Sequence, residues 1–172
     1  MNNSPSRIRK LDEHAQILNR IMVYISGFAL TFMTVMIVVD VFLRFVFNAP
    51  LAATVEISEL VEPYVVFLPF AYTLAKGRHV RVTLITSKFS KTPRMLTEIF
   101  VYIIDVIFFA LLCCYSWMEF WHSFGIGEIM LAAVKLPWWA GKFAMPLGMF
   151  AIIIQCILLL LLTLSKIEQI KG

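Results

Sequence analysis

Residues 44–82 read RFVFNAPLAATVEISELVEPYVVFLPFAYTLAKGRHVRV, and the nature of the whole chain follows from them. An apolar run of roughly membrane-crossing length opens with Glu56, Glu59 and Glu62 and closes in the basic turn Lys76-Gly77-Arg78-His79-Val80-Arg81. A charged group at the centre of a membrane helix costs about 2.5–3.5 kcal/mol on insertion scales, so acids persist there where they have a task. What the three glutamates face is the functional question.

The surrounding sequence has the same character. Of 172 residues, 60% are hydrophobic and 15% charged, with a mean hydropathy of +0.85. Soluble domains average about 45–50% apolar and about 25% charged. The composition implies an all-α integral membrane protein. Cys113, Cys114 and Cys156 lie inside apolar runs without CxxC spacing, and read as small packing residues. The net charge of +4 sits beside the apolar runs and on no soluble module, which argues for lipid contact and against nucleic acid. Residues 21–39 are uncharged over 19 positions, longer than the 7–15 apolar residues typical of a signal peptide, so they read as a retained span.

Four spans are expected, at about 21–43, 54–75, 98–118 and 143–164, each near the ~20 residues that cross a ~30 Å core. Their flanking charges are lopsided. Arg7, Arg9, Lys10, Arg20, Lys76, Arg78, Arg81, Lys88, Lys91, Arg94, Lys166 and Lys171 fall on one side, and Arg44, Lys135 and Lys142 on the other. Positive residues stay cytoplasmic, so both termini are expected inside. Ile8, Leu11, Ala15 and Leu18 share one helical face among charges, which predicts a short amphipathic helix along the inner surface, running into span one. Outside, Trp121, Trp138 and Trp139 surround Gly125, Gly127 and Pro137 and read as interfacial anchors around a helix break. No internal repeat or low-complexity tract is visible, so residues 1–172 read as one membrane domain.

Asp40 and Arg44 are four apart and can pair on one helix face. Arg44 can also reach Glu56 or Glu59, which lie at the positive end of span two. Glu62 is deeper and most in need of a partner. Such a cluster can lock a helix pair, dock another protein, hold a cation or proton, or simply face water. Pro63 and Pro69 interrupt span two and predict a kink. Asp105 is alone in span three, where it can pair with a basic residue, snorkel to the inner surface or relay a proton. His14, His79 and His122 lie in separate segments, too few at depth for haem and without partners at metal-ligand spacing. No phosphate loop or nucleophile motif occurs, so no catalytic, cofactor-binding or metal residue is assigned.

These residues together resemble the small membrane subunit of tripartite ATP-independent periplasmic (TRAP) transporters, the DctQ-type family. The likeness runs through Arg44-Phe45-Val46-Phe47-Asn48 with Pro50-Leu51, through Glu56, and through Gly77-Arg78-His79-Val80-Arg81-Val82. Leu136-Pro137-Trp138 and Pro146-Leu147-Gly148 continue it. The resemblance implies a non-enzymatic subunit of the cell inner membrane that braces a large multi-span permease subunit. That subunit carries the sodium and substrate sites, and a periplasmic solute-binding protein delivers an organic anion, a carboxylate or sulfonate. Asp40, Arg44, Asn48, Glu56, Glu59, Glu62, His79 and Arg81 then become partner-interface or structural residues. A different class stays open: a small self-oligomerising transporter coupled to ions through Glu62 or Asp105.

Overall fold

The computed structural model describes residues 6–77, 91–130 and 134–171, and every regular element among them is helical. The elements are α1 (Ser6–Phe47), α2 (Thr54–Phe67), α3 (Phe70–Gly77), α4 (Lys91–Gly125), α5 (Trp138–Lys142) and α6 (Ala144–Lys171). Four helical stretches are long and apolar enough to cross a membrane: Lys10–Phe47, Thr54–Lys76, Leu96–Gly125 and Trp138–Ser165. Each of the four expected spans falls within one of them. The chain is a multi-pass membrane protein by length and composition of its helices.

The fourth span is the core. It is apolar all round, and such a helix is stable only where other helices surround it. Ile152, Leu159, Gln155 and Cys156 are all below 2% or close to it in exposure. The other helices each offer it one stripe. On α1 the buried residues are Asn19, Met22, Ser26, Met36 and Asp40, and on α4 they are Tyr102, Phe120 and Ser123. Steps of three, four and seven place each set on one side of its helix. The far sides are apolar and open, with Phe28 77% and Phe45 89% exposed on α1 and Leu111 69% on α4. That much greasy surface suits lipid or another membrane chain.

Contacts between spans give their directions. Ser26 meets Val65 and Asp40 meets Leu51, so spans one and two run antiparallel. Gly141 abuts Leu60 and Gly148 abuts Phe67, so spans two and four run in the same sense. Phe120 meets Phe143 and Cys113 meets Pro146, so spans three and four are antiparallel. The up-down order places the 48–53 loop and the 126–137 loop at one end of the bundle, called here the Asp40 end.

Span two is broken where the prolines predict. α2 ends at Phe67 and α3 resumes at Phe70, with Pro63 inside α2 and Pro69 in the break. Pro69 has no N–H to give to the Val65 carbonyl, one turn back. Ser26 Oγ donates to that carbonyl at 2.9 Å instead. A serine on α1 thus repairs the hydrogen bond that the proline removes, and ties the kink to its neighbour. Small residues on α6 and α5 do the rest: a Cβ on Gly148 would lie 2.5 Å from the Phe67 carbonyl oxygen, and one on Gly141 3.2 Å from that of Leu60. Small side chains let membrane helix backbones approach closely.

The amino-terminal segment departs from expectation. Residues expected as a separate surface helix are continuous with span one, in a single helix of 42 residues, about 63 Å at 1.5 Å per residue. Leu11 and Leu18 face outward, at 59% and 50% exposure. The side turned to the bundle is polar: Asn19 Nδ2 donates to Gln155 Oε1 at 2.8 Å, and Gln155 Nε2 reaches Asp12 Oδ1 at 3.5 Å. A buried amide pair holds the helix in line, which its apolar spacing did not reveal. Of the three cysteines, Cys156 packs in the core as expected, whereas Cys114 is exposed.

Candidate functional site at the Asp40 end

Asp40 organises the turn from span one to span two. Its side chain is buried, and Oδ1 accepts the Leu51 N–H at 2.7 Å while Oδ2 accepts from Arg44 Nη2 at 2.9 Å. Asn48 ends α1 with a φ of +51°, a left-handed conformation that asparagine tolerates better than most residues. The chain then turns at Pro50, and Ala53 enters α2 at φ +68°. The guanidinium of Arg44 is 61% exposed, so only one half of the Asp40–Arg44 pair lies inside the protein.

The three glutamates of span two do not share one environment. Glu56 is half-buried, whereas Glu59 and Glu62 are exposed. Glu56 and Glu59 line an open groove of about 450 Å³ with Val55, Glu128, Ile129, Met130 and Trp138. Trp138 therefore forms a wall of the groove, besides any anchoring role. Trp121 and Trp139 join a ring cluster through Phe124, which stacks on Trp121 at 5.8 Å and meets Trp139 edge-on at 5.2 Å. His79 and Arg81 lie outside the described residues. Among the described residues no three His, Cys, Asp or Glu side chains converge as a metal site would require.

A second ion-pair cluster escaped the sequence reading. Lys142 Nζ donates to Glu128 Oε2 at 2.8 Å and reaches Glu119 Oε2 at 3.5 Å, and Ser123 Oγ donates to the same Glu128 oxygen. The backbone closes the loop beneath it: Met130 N–H donates to the Leu136 carbonyl at 2.9 Å, and Trp138 N–H to that of Glu128 at 2.9 Å. Tyr64 Oη, from span two, donates to the Ala140 carbonyl at 2.6 Å. These partners come from three segments with no common period, so only the fold brings them together.

The hydrogen bond from Lys142, and then that from Ser123, hold the Glu128 carboxyl below the usual carboxylate range. A carboxyl whose pKa is lowered on folding adds stability that is complete above its unfolded value, about 4.3, and is lost as pH falls through the folded value. Glu128→Gln is accordingly expected to unfold more readily than the parent at neutral pH. The gap should close below about pH 4 in thermal unfolding series run in detergent. A gap unchanged down to pH 3 would show that the pair contributes nothing.

The arrangement holds helices and builds a surface. It contains no nucleophile beside a base and no path through the bundle centre, which α6 fills. Comparison with known proteins gives the chain its kin. The family described as tripartite ATP-independent periplasmic transporters, DctQ component, matches residues 33–166. The chain belongs to this family. A Haemophilus influenzae protein that bears the provisional name of TRAP transporter small permease protein is 28% identical over 111 residues, 62% of this chain and 66% of that protein. The chain thus spans just under two thirds of that relative's length. The DctQ family is a transport component and not a class of enzymes. Its match takes in Asp40, Arg44, Asn48, the three glutamates and the Lys142 cluster, and leaves out the first two thirds of α1.

Proposed function

We propose that the chain is the small membrane subunit of a TRAP transporter, lying in the cell inner membrane as one domain with both termini in the cytoplasm. It scaffolds a large multi-span permease subunit for sodium-driven uptake of an organic anion, a carboxylate or sulfonate. A periplasmic solute-binding protein delivers that anion. In this orientation the Asp40 end faces the periplasm, where the groove and its tryptophans offer part of the docking surface. The outward apolar residues at the start of α1 lie along the inner leaflet.

One observation carries the scaffold role. The polar groups of the bundle are engaged in fixing helix to helix, as in Asp40–Leu51, Ser26–Val65, Asn19–Gln155 and Lys142–Glu128. The helix at its centre is sealed by its own side chains. A brace must keep its shape while a neighbour moves, and these bonds are spread from one end to the other. Large apolar faces on α1 and α4 are left for company in the membrane.

The test is biochemical. The chain is expected to co-purify with a large polytopic protein from its own cell, and to transport nothing when reconstituted alone in liposomes. Arg44→Ala and Glu56→Ala are each expected to lower the yield of the intact complex a few-fold, about 1 kcal/mol apiece, by changing the surface at the periplasmic corner. Solute flux through vesicles that hold this polypeptide by itself would overturn the proposal.

A further inference from the structure

Span two carries a face that its own bundle leaves uncovered. The exposed residues along α2 and α3 are Val55, Glu59, Glu62, Val66, Phe70 and Thr73. Their spacing of three and four residues makes them one continuous stripe. The opposite side, with Leu68 and Ala71, is buried among the other helices. Glu62 follows Thr54 by eight residues, about 12 Å along the axis, and Glu59 by five, about 7.5 Å. Below Glu62 the stripe turns apolar with Val66 and Phe70. Glu62 therefore stands well inside the apolar depth of the bundle, on its outer surface.

A carboxylate against lipid at such a depth is expensive, and those that persist in membranes face a partner or a water-filled space. Among the described residues, neither Glu59 nor Glu62 has an ion pair or hydrogen bond from a side chain. The cations at this end are engaged elsewhere or too high. Arg44 is held by Asp40, level with the loop above α2, and Lys142 by Glu128 and Glu119. Lys76 lies 14 residues further down, about 21 Å from Glu62. A second copy packed alongside in the same orientation would bring no described positive charge to this level either. The complement has to come from a different polypeptide.

We propose that the Glu59–Glu62 stripe is the seam on which a membrane helix of another polypeptide packs, with an arginine or lysine of that helix at the depth of Glu62. The assignment rests on the chain being a subunit, and names the face and the chemistry by which the large subunit is held. Val66 and Phe70 supply apolar contact below the ion pair, and Val55 above it. Two charges that meet away from water attract strongly and strand one another when either is removed, which makes such a pair a register mark for two sliding surfaces.

The experiment uses the full chain produced with its natural partners in cell membranes. A photoreactive residue at position 66 is expected to give an adduct with the large subunit. Glu62→Lys is expected to lower the large subunit recovered with the chain at least about tenfold, and Glu62→Gln about threefold. The membrane level of the chain itself should hold, because Glu62 supports nothing within its own bundle. Reversing the facing cation to glutamate in the large subunit should restore recovery of Glu62→Lys. Undiminished recovery with Glu62→Lys, or adducts from position 66 with lipid alone or with a second copy while the large subunit still co-purifies, overturns the seam and leaves the scaffold reading in place. If nothing co-purifies even with the unaltered chain, the subunit reading itself fails and the seam with it.

Discussion

Gly148→Leu is expected to prevent the four helices from packing, the largest effect of any single change considered. Even the first carbon of a side chain at this position would lie 2.5 Å from the Phe67 carbonyl oxygen, and 2.8 Å from the carbonyl carbon and Cβ of the same residue. Two of those three atoms are backbone, at the break between α2 and α3, and backbone cannot swing aside as a side-chain tip can. Overpacking a tight interior costs about 1–3 kcal/mol and sometimes more. The alanine variant should lie within that range, and leucine beyond it. Gly27→Ala serves as the control, because nothing lies within 4 Å of the added carbon on the open face of α1. The measurement is the fraction of monodisperse protein that survives a heating series in detergent. Equal survival of Gly148→Leu and Gly27→Ala would mean that span four does not pass so near the kink.

The second large effect is expected at Asp40. Removing its carboxylate in Asp40→Ala strands the Leu51 N–H and frees Arg44 in one step. Breaking a fully buried ion pair costs about 3–5 kcal/mol, whereas leaving a single buried polar group without a partner costs about 1–3. Arg44 is mostly in solvent and can be hydrated, so the lower range applies. Asp40→Asn keeps an oxygen for Leu51 and loses only the charge, and should recover about half of the loss. Protease cleavage within the 48–53 loop reports the result directly: Asp40→Ala should be cut faster than the parent, and Asp40→Asn at an intermediate rate. Identical cleavage of all three would remove Asp40 from its role as the clamp of this turn.

Both predictions concern groups whose importance differs in legibility. Asp40 and Arg44 were visible in the sequence as a pair four residues apart, because a helix places such residues on one face whatever surrounds it. That Asp40 also clamps Leu51 was not visible, since the contact spans a turn whose path depends on Asn48 and Ala53 in left-handed conformations. Gly148 could be quoted as part of a motif but not explained. A glycine in an apolar helix looks the same whether it faces lipid, as Gly27 does, or another backbone. The three glutamates likewise read as one group at spacings of three. A helix turns 300° in three residues, so each successive acid falls back by 60°. Over six residues that drift is enough to separate a groove-lining Glu56 from an outward Glu62.

What the chain determines unaided is what local physics and solvent dictate: four apolar stretches of crossing length, a break in the second at its prolines, and a family likeness carried by short motifs in order. These survive any arrangement of the helices, because each depends on residues close in sequence. The tertiary structure alone decided which span lies at the centre, which amides and acids are shared between helices, and which side of the second span is left open. Those outcomes depend on distances between segments as far apart as Asn19 and Gln155. In an interior of apolar side chains, polarity and size at a few contact points select one packing among many that composition would allow.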